Sequence, residues 1–338
     1  MARQAKLSDV ARHAGVSTGT VSNVLNHPDK VREVTITRVM QAIETLGFVR
    51  DTNASSLANG GSGNIGLVVI DLANSIFVDA ARGAQSVARS AGLNLLLAGS
   101  ENDFGLQSAN VDSFIGARVA GLLLAPMQDS TPQLARLAGR HVPAVLMNYD
   151  PGTDEACAVI VDNEQAGYLA GRHLIDSGCR RLAFLSGDDT VQPVQLRRRG
   201  LRRAVAEADG SVVLEEIHTD DLEFASGARV AREIAGRRVE DRPDGVIGVT
   251  DNLAVGVIEQ ASDLGIDVPG EIAVMGCDNN TSSPRCRMTV TTVTMEGVEM
   301  GAAAMGLLAE EIVAGHSNHR HRRVSLTPTL VPHQSTAR

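Results

Sequence analysis

Apolar positions in the first fifty residues recur at helical spacing. From residue 64 onward they collect into short strand-like runs separated by amphipathic stretches. Within LSDVARHAGVSTGTVSNVLN, Leu7 to Asn26, Val10, Ala11 and Ala14 put an apolar stripe on a first helix, and Val21, Val24 and Leu25 put one on a second. Gly15 falls between them, where a turn between crossing helices calls for positive φ. Ala11 is small where two helices cross closely, and Ser17 offers a hydroxyl to cap the second helix. A small residue, glycine four later and valine six after that is helix-turn-helix spacing. His27-Pro28-Asp29 breaks the helix. A third amphipathic helix follows at about Thr35 to Leu46, with Ile36, Val39, Ile43 and Leu46 on one face and Gly47 as its stop.

The outer face of the second helix is short, polar and uncharged: Ser17, Thr18, Gly19, Thr20, Ser22 and Asn23, with Asn26 at its end. A helical hairpin buried in a larger core would have no use for such a face. One that approaches base edges and phosphates would, because no layer of long side chains holds it off. Residues 1–50 therefore read as a DNA-binding headpiece. Asp51 to Gly60, DTNASSLANG, has a capping residue, small polar residues, one leucine and a terminal glycine. A helix this short is marginal alone, and on the residues themselves a plain linker over 51–63 reads equally well.

From Ile65 short apolar strands alternate with helices, the mark of parallel α/β units. The first series has strands at 65–70, 93–98, 121–125 and 144–147, with helices near 77–91, 106–117 and 131–140. A strand at 158–162 opens a second series, which continues with strands at 181–186, 212–217, 245–249 and 272–276. Its helices fall near 164–177, 195–208, 225–235 and 253–264. A helix at 296–314 and a strand near 324–330 close the chain. The fold class is an all-α headpiece followed by an α/β core of two Rossmann-like lobes. A cleft between them faces the carboxyl ends of the strands, where open parallel sheets bind ligands.

Composition and charge sharpen this picture. At 338 residues, 43% hydrophobic and 21% charged, the chain suits two or three folded units. No apolar run approaches the ~20 residues of a bilayer span, and no apolar segment follows Arg3 and Lys6, so a cytoplasmic, nucleoid-associated protein is expected. The four cysteines are far apart without C-x-x-C spacing and read as reduced structural thiols. The net charge of −9 divides unevenly: residues 1–63 hold seven Lys/Arg against five Asp/Glu, +2, which leaves −11 on the remainder. A headpiece this mildly basic grips phosphates weakly as a single copy, which argues for two on one duplex.

DVARHAGVSTGTVSNVLN resembles the N-terminal signature of the lactose-repressor/galactose-repressor (LacI/GalR) family of bacterial transcription regulators, and the likeness runs the length of the chain. It implies a homodimeric regulator, acting as a repressor, that binds a palindromic operator and answers to a small-molecule effector in the inter-lobe cleft. The effector expected is a sugar or sugar derivative. It implies that 51–63 is a hinge helix whose Leu57 wedges into the minor groove. It also implies that 64–338 binds effector and dimerises, with an N-lobe at about 64–161 and 295–322 and a C-lobe at about 162–292 and 323–332. The last helix returns to the first lobe, and with eight residues after Leu330 no heptad tail for tetramerisation is expected. The cleft candidates carried by the resemblance are Asn74 and Phe77 of an N-S-I-F segment, Asn148, Arg197, Leu222, Thr250 before Asp251, and Asp278.

The chain departs from that pattern in two places. Asn23 stands where an arginine commonly reads guanine, and asparagine pairs best with adenine. Leu222 stands where an aromatic ring stacks on sugar, in a chain with no Trp, two Tyr and six Phe, which leaves room for an unusual or phosphorylated ligand. Other motifs carry nothing. Gly61-Ser-Gly-Asn-Ile-Gly66 precedes a strand instead of following one, so it cannot aim a helix at a pyrophosphate. Gly15-Val-Ser-Thr-Gly19 lacks the strand a nucleophile elbow needs. His316, His319 and His321 lie in a basic polar connection and read as a solvated loop, so no metal or cofactor is expected. With no acid/base constellation, an enzyme is not expected. A solute-binding protein, the other rival, does not account for the headpiece.

Overall fold

The computed structural model describes residues 5–48, 63–187, 190–280, 286–315 and 318–338. The chain divides into two units, Met1–Ser62 and Gly63–Arg338. In the first unit, α1 (Leu7–Ala14), α2 (Thr18–Asn26) and α3 (Glu33–Leu46) enclose a core of Val10, Ala11, Ala14, Val21, Val24, Val39 and Ala42. Gly15 (φ 62°) ends α1 and Gly47 (φ 58°) ends α3, both left-handed as C-caps favour. α3 starts two residues before the expected point. Arg32 is its extended N-cap, and Val34, apolar but 80% exposed, lies off the stripe that marks the helix in the sequence. Residues 51–62 of the expected hinge segment, Leu57 among them, lie outside the described residues.

The second unit begins with β1 (Asn64–Val69), α4 (Ser75–Ser90), β2 (Asn94–Gly99), α5 (Phe104–Gly116), β3 (Gly121–Leu124), α6 (Thr131–Ala138), β4 (Ala144–Met147) and β5 (Cys157–Val161). It continues with α7 (Asn163–Asp176), β6 (Arg181–Ser186), α8 (Gln192–Ala206), β7 (Val213–His218), α9 (Phe224–Ala235), β8 (Gly245–Gly248), α10 (Asp251–Asp263) and β9 (Ala273–Met275). β10 (Thr292–Val293), α11 (Gly297–Ala314), β11 (Arg323–Leu326) and β12 (Leu330–Val331) close the chain. One parallel sheet has the order β11-β5-β4-β3-β1-β2, and a second has the order β7-β6-β8-β9; β10 and β12 pair antiparallel. The strands β3 and β4 are buried at every position and apolar throughout, because helices cover parallel sheets on both faces.

Three expectations are corrected. The strand at 158–162 does not open the second series: β5 pairs with β4 in the first sheet, Leu146 beside Ala158. Residues 323–332 are not a C-lobe segment as a whole, since β11 adds to the edge of the first sheet with Val324 beside Val159. Apolar runs announce a strand but not which sheet takes it. His319 and His321 are not in a solvated loop either. Both are half-buried against Cys157 and Glu311, because the connection from α11 must fold back over the start of β5 to feed β11.

Helix pairing in this unit depends on glycine. An added Cβ at Gly167 of α7 would lie 1.9 Å from the carbonyl oxygen of Arg197, and one at Gly200 of α8 would lie 1.8 Å from that of Glu164. The two backbones therefore touch, and Arg197 is held at a fixed depth by its own main chain.

Candidate functional site

In the first unit the turn and caps orient α2. Ser17 Oγ accepts from the Thr20 backbone N–H at 3.1 Å, satisfying a donor that the first turn leaves orphaned. The Ser17 and Thr20 hydroxyls share a hydrogen bond at 2.9 Å, and Asn26 Nδ2 donates to Ser22 Oγ at 3.1 Å. Val21 and Val24 point into the core, so Thr18, Gly19 and Asn23 stand exposed on the opposite side, with Ser22 at its margin. Neither carboxylate nor long cation interrupts this face.

In the second unit the strands' carboxyl ends meet at a cleft of about 690 Å³, counting the part open to solvent. All seven cleft candidates line it: Asn74, Phe77, Asn148, Arg197, Leu222, Thr250 and Asp278. Asn74 follows β1 and does two jobs. Its Oδ1 accepts from the Ile76 N–H at 3.1 Å to cap α4, and its Nδ2 donates to Asp278 Oδ2 at 2.9 Å, joining the two lobes. Arg197 is the hub. Its guanidinium contacts Asp278 Oδ1 at 3.1 Å, donates from Nε to Asn163 Oδ1 at 3.0 Å, and also donates to the Val249 carbonyl. Asn163 in turn donates to Asn148 Oδ1 at 2.8 Å, a second bridge between lobes. Thr250 caps α10 and donates to the Leu222 carbonyl at 3.0 Å, fixing the loop that brings Leu222 to the cleft.

Two carboxylates share this one buried guanidinium. Burial pushes both Asp278 and Asp251 well above the usual carboxylate range. The Arg197 charge partly offsets it at Asp278, and hydrogen bonds from Thr292 and Asn280, then the Arg197 charge, partly offset it at Asp251. Asp251 accepts from Thr292 Oγ1 at 2.7 Å and from the Asn280 N–H at 2.6 Å. At the mouth, burial and then the charge of Asp71 push Glu223 upward. Asn148 (φ 52°) and Asp278 (φ 146°) both hold positive φ without being glycine, the kind of local strain that gathers at ligand sites.

The chain matches the model of bacterial regulatory proteins of the lacI family over residues 6–51 and that of the periplasmic binding protein-like domain over residues 172–336. It is 31% identical over 329 residues to the HTH-type transcriptional repressor PurR of Vibrio vulnificus, covering 97% of each chain. The chain belongs to the LacI family. A LacI-family regulator from Silicibacter pomeroyi has the same fold, with a TM-score of 0.85 at 21% identity, over 99% of this chain and all of the other. The transcriptional regulator CelR in complex with cellobiose superposes with a TM-score of 0.71 at 25% identity, over 98% of this chain and all of the other.

This LacI-family chain is thus a transcriptional regulator and not an enzyme, with a helix-turn-helix DNA-binding domain and a periplasmic-binding-like effector domain. Sequence reasoning missed several of its cleft residues: Asp71, Asn102, Pro193, Val194, Glu223 and Asn252. It also missed Asn163, which lies behind the lining and links Arg197 to Asn148. A signal was there for some of them, since Asp71 and Asn163 follow strand ends on the ligand side of parallel sheets.

Proposed function

We propose that this regulator is a homodimeric repressor whose two headpieces read the halves of an inverted-repeat operator, under control of a sugar or sugar derivative held between the lobes. The DNA contacts fall to Thr18, Gly19, Asn23 and their neighbours Ser17, Thr20, Ser22 and Asn26, on a recognition helix in the major groove. Leu57 serves as the minor-groove wedge. The small positive charge of the headpiece supports two copies per operator. The surface of the second unit supports a dimer as well: Leu96 and Leu97 on edge strand β2 are 38% and 43% exposed, and Leu72 and Leu106 are 46% and 38% exposed.

The observation that carries the effector reading is the Arg197–Asp278–Asn74 chain. A carboxylate acceptor and amide and guanidinium donors sit within one cleft, flanked by Phe77, Leu222 and Val249. Vicinal hydroxyls of a sugar match that alternation, and the apolar walls match its C–H faces. A phosphorylated ligand fits less well. The Arg197 guanidinium is already engaged by Asp278, Asn163 and the Val249 carbonyl, and Asp71 and Glu223 line the mouth with acid. The sugar bound to CelR belongs to the same class.

Operator and effector binding are reciprocal in such a protein, so each weakens or strengthens the other by the same factor. Gel shifts with duplex from upstream of its own gene, with and without a panel of sugars, test the reading; calorimetry on the same panel gives the affinities. A strictly monomeric protein indifferent to those duplexes would sink it.

A further inference from the structure

At the amino-terminal end of the first sheet, opposite the cleft, three elements bring four metal-ligating side chains together. Cys157 is the first residue of β5, Glu311 lies in the last turn of α11, and His319 and His321 lie on the connection to β11. Their ligand atoms all fall within 4.8 Å of one another. Cys157 Sγ is 3.1 Å from His319 Nε2 and 3.9 Å from His321 Nδ1, and His321 Nδ1 is 4.0 Å from Glu311 Oε2.

We propose that Cys157, Glu311, His319 and His321 form a site for one zinc-class divalent cation. The edges of a zinc tetrahedron with one sulfur and three nitrogen or oxygen donors are roughly 3.3–3.6 Å. The observed separations straddle that range, so small side-chain rotations bring all four atoms to a common centre. The donor set selects the ion: a thiolate and two imidazoles exclude the hard cations Mg2+ and Ca2+, and the carboxylate favours Zn2+ over Cu(I). Four protein donors leave no open position, which marks a structural site and not a catalytic one. The surroundings agree. Cys157 is fully buried and Glu311 is 1% exposed, and an ion gives a carboxylate at that depth a full countercharge.

A second feature ties the site to the fold. The Arg322 backbone N–H donates to Cys157 Sγ at 3.4 Å, immediately before Arg323 pairs beside Ala158. Backbone N–H donation to a metal-bound sulfur is an outer contact that steadies such ligands. The ion would pin β11 to the edge of the sheet.

Tag-free full-length protein, stripped with a chelator and titrated with Co2+, tests this. One equivalent per chain should bind and develop the near-ultraviolet thiolate-to-cobalt charge-transfer band, and Zn2+ should displace it. Cys157→Ser should abolish the band, and His319→Gln, at a half-exposed position that tolerates polar change, should weaken Zn2+ binding by about tenfold or more. Should the serine variant fail to fold, His319→Gln and His321→Gln carry the test by the same displacement titration. Absence of a saturable band, persistence of the band in Cys157→Ser, or unchanged affinity in both histidine variants would overturn the proposal.

Discussion

The candidate reading face of α2 and the inter-lobe cleft are built on opposite plans. The first draws on residues 17–26, short and neutral and largely exposed to water. The second joins residues as far apart as Asn74 and Asp278, and holds a guanidinium and two carboxyls almost wholly away from solvent. Specificity and stability are therefore expected to be separable at the exposed positions of α2 that cap nothing and coupled in the cleft. A change at Thr18 or Asn23 should alter what is bound and leave the fold alone, whereas a change in the cleft should disturb both.

The largest effect that can break this contrast is expected at Arg197. Arg197→Met keeps much of the side chain's volume but leaves Asp278 and Asp251 without their shared cation. Removing one partner from a buried charged group costs about 3–5 kcal/mol. Urea unfolding of the full chain above pH 7, where the carboxyls are ionised, should show a loss of that size, with Arg197→Met/Asp278→Asn recovering part of it. A loss no greater than that of a surface substitution would mean that the cleft charges are as independent as the residues of α2.

Next in size is a change of base preference with no change in stability. Asn23→Arg should move selection from a random duplex pool toward guanine at the contacted position, a discrimination of about 1–3 kcal/mol for a good bidentate pair. The denaturation midpoint should stay put, because the Asn23 side chain is exposed. Unaltered base selection would remove Asn23 from the reading face.

The same contrast explains how much was legible in the sequence. The helix-turn-helix needs only contacts between near neighbours, so Val10, Ala11, Gly15 and Val21 announce it directly. The strand–helix alternation of the second unit is equally local, and its helices start within a few residues of the expected places. Sheet membership is not local: β5 and β11 look alike as runs, and only their pairing assigns both to the first sheet. The cleft residues came through the resemblance, since no spacing in the sequence brings Arg197 to Asp278. His319 and His321 were illegible for that reason too. A polar, basic stretch reads as solvated until Cys157, 162 residues earlier than His319, is seen to lie against it.

A pH series sharpens the cleft side of the comparison. Burial raises the folded-state pKa of Asp278 to about 7 and that of Asp251 to about 6, both above an unfolded carboxyl's usual value. The folded chain thus holds a proton that the unfolded chain releases. The stability this confers is complete below about pH 4 and is lost as the pH climbs toward about 7, with a slope of at most about 1.4 kcal/mol per pH unit for each proton. The two groups share Arg197, so their titration belongs to the pair. Unfolding measured between pH 5 and pH 7.5 should show this fall in the wild type and a flatter profile in Asp278→Asn. Parallel profiles would place the titration elsewhere.

The smallest effect tests the claim of independence on α2. Ser17 belongs both to the helix cap and to the proposed reading face, so Ser17→Ala removes two things at once. Loss of a serine cap costs about 1 kcal/mol, read as lower thermal stability of the helical unit. Ser17→Asn separates the roles, because asparagine caps as well as serine but presents a different group to DNA. If Ser17 acts only through the cap, asparagine restores both stability and operator affinity. If it also touches the duplex, stability returns and affinity does not. That second outcome is expected, because its hydroxyl pairs with Thr20 at the exposed start of α2, within reach of a groove as well as of its own backbone.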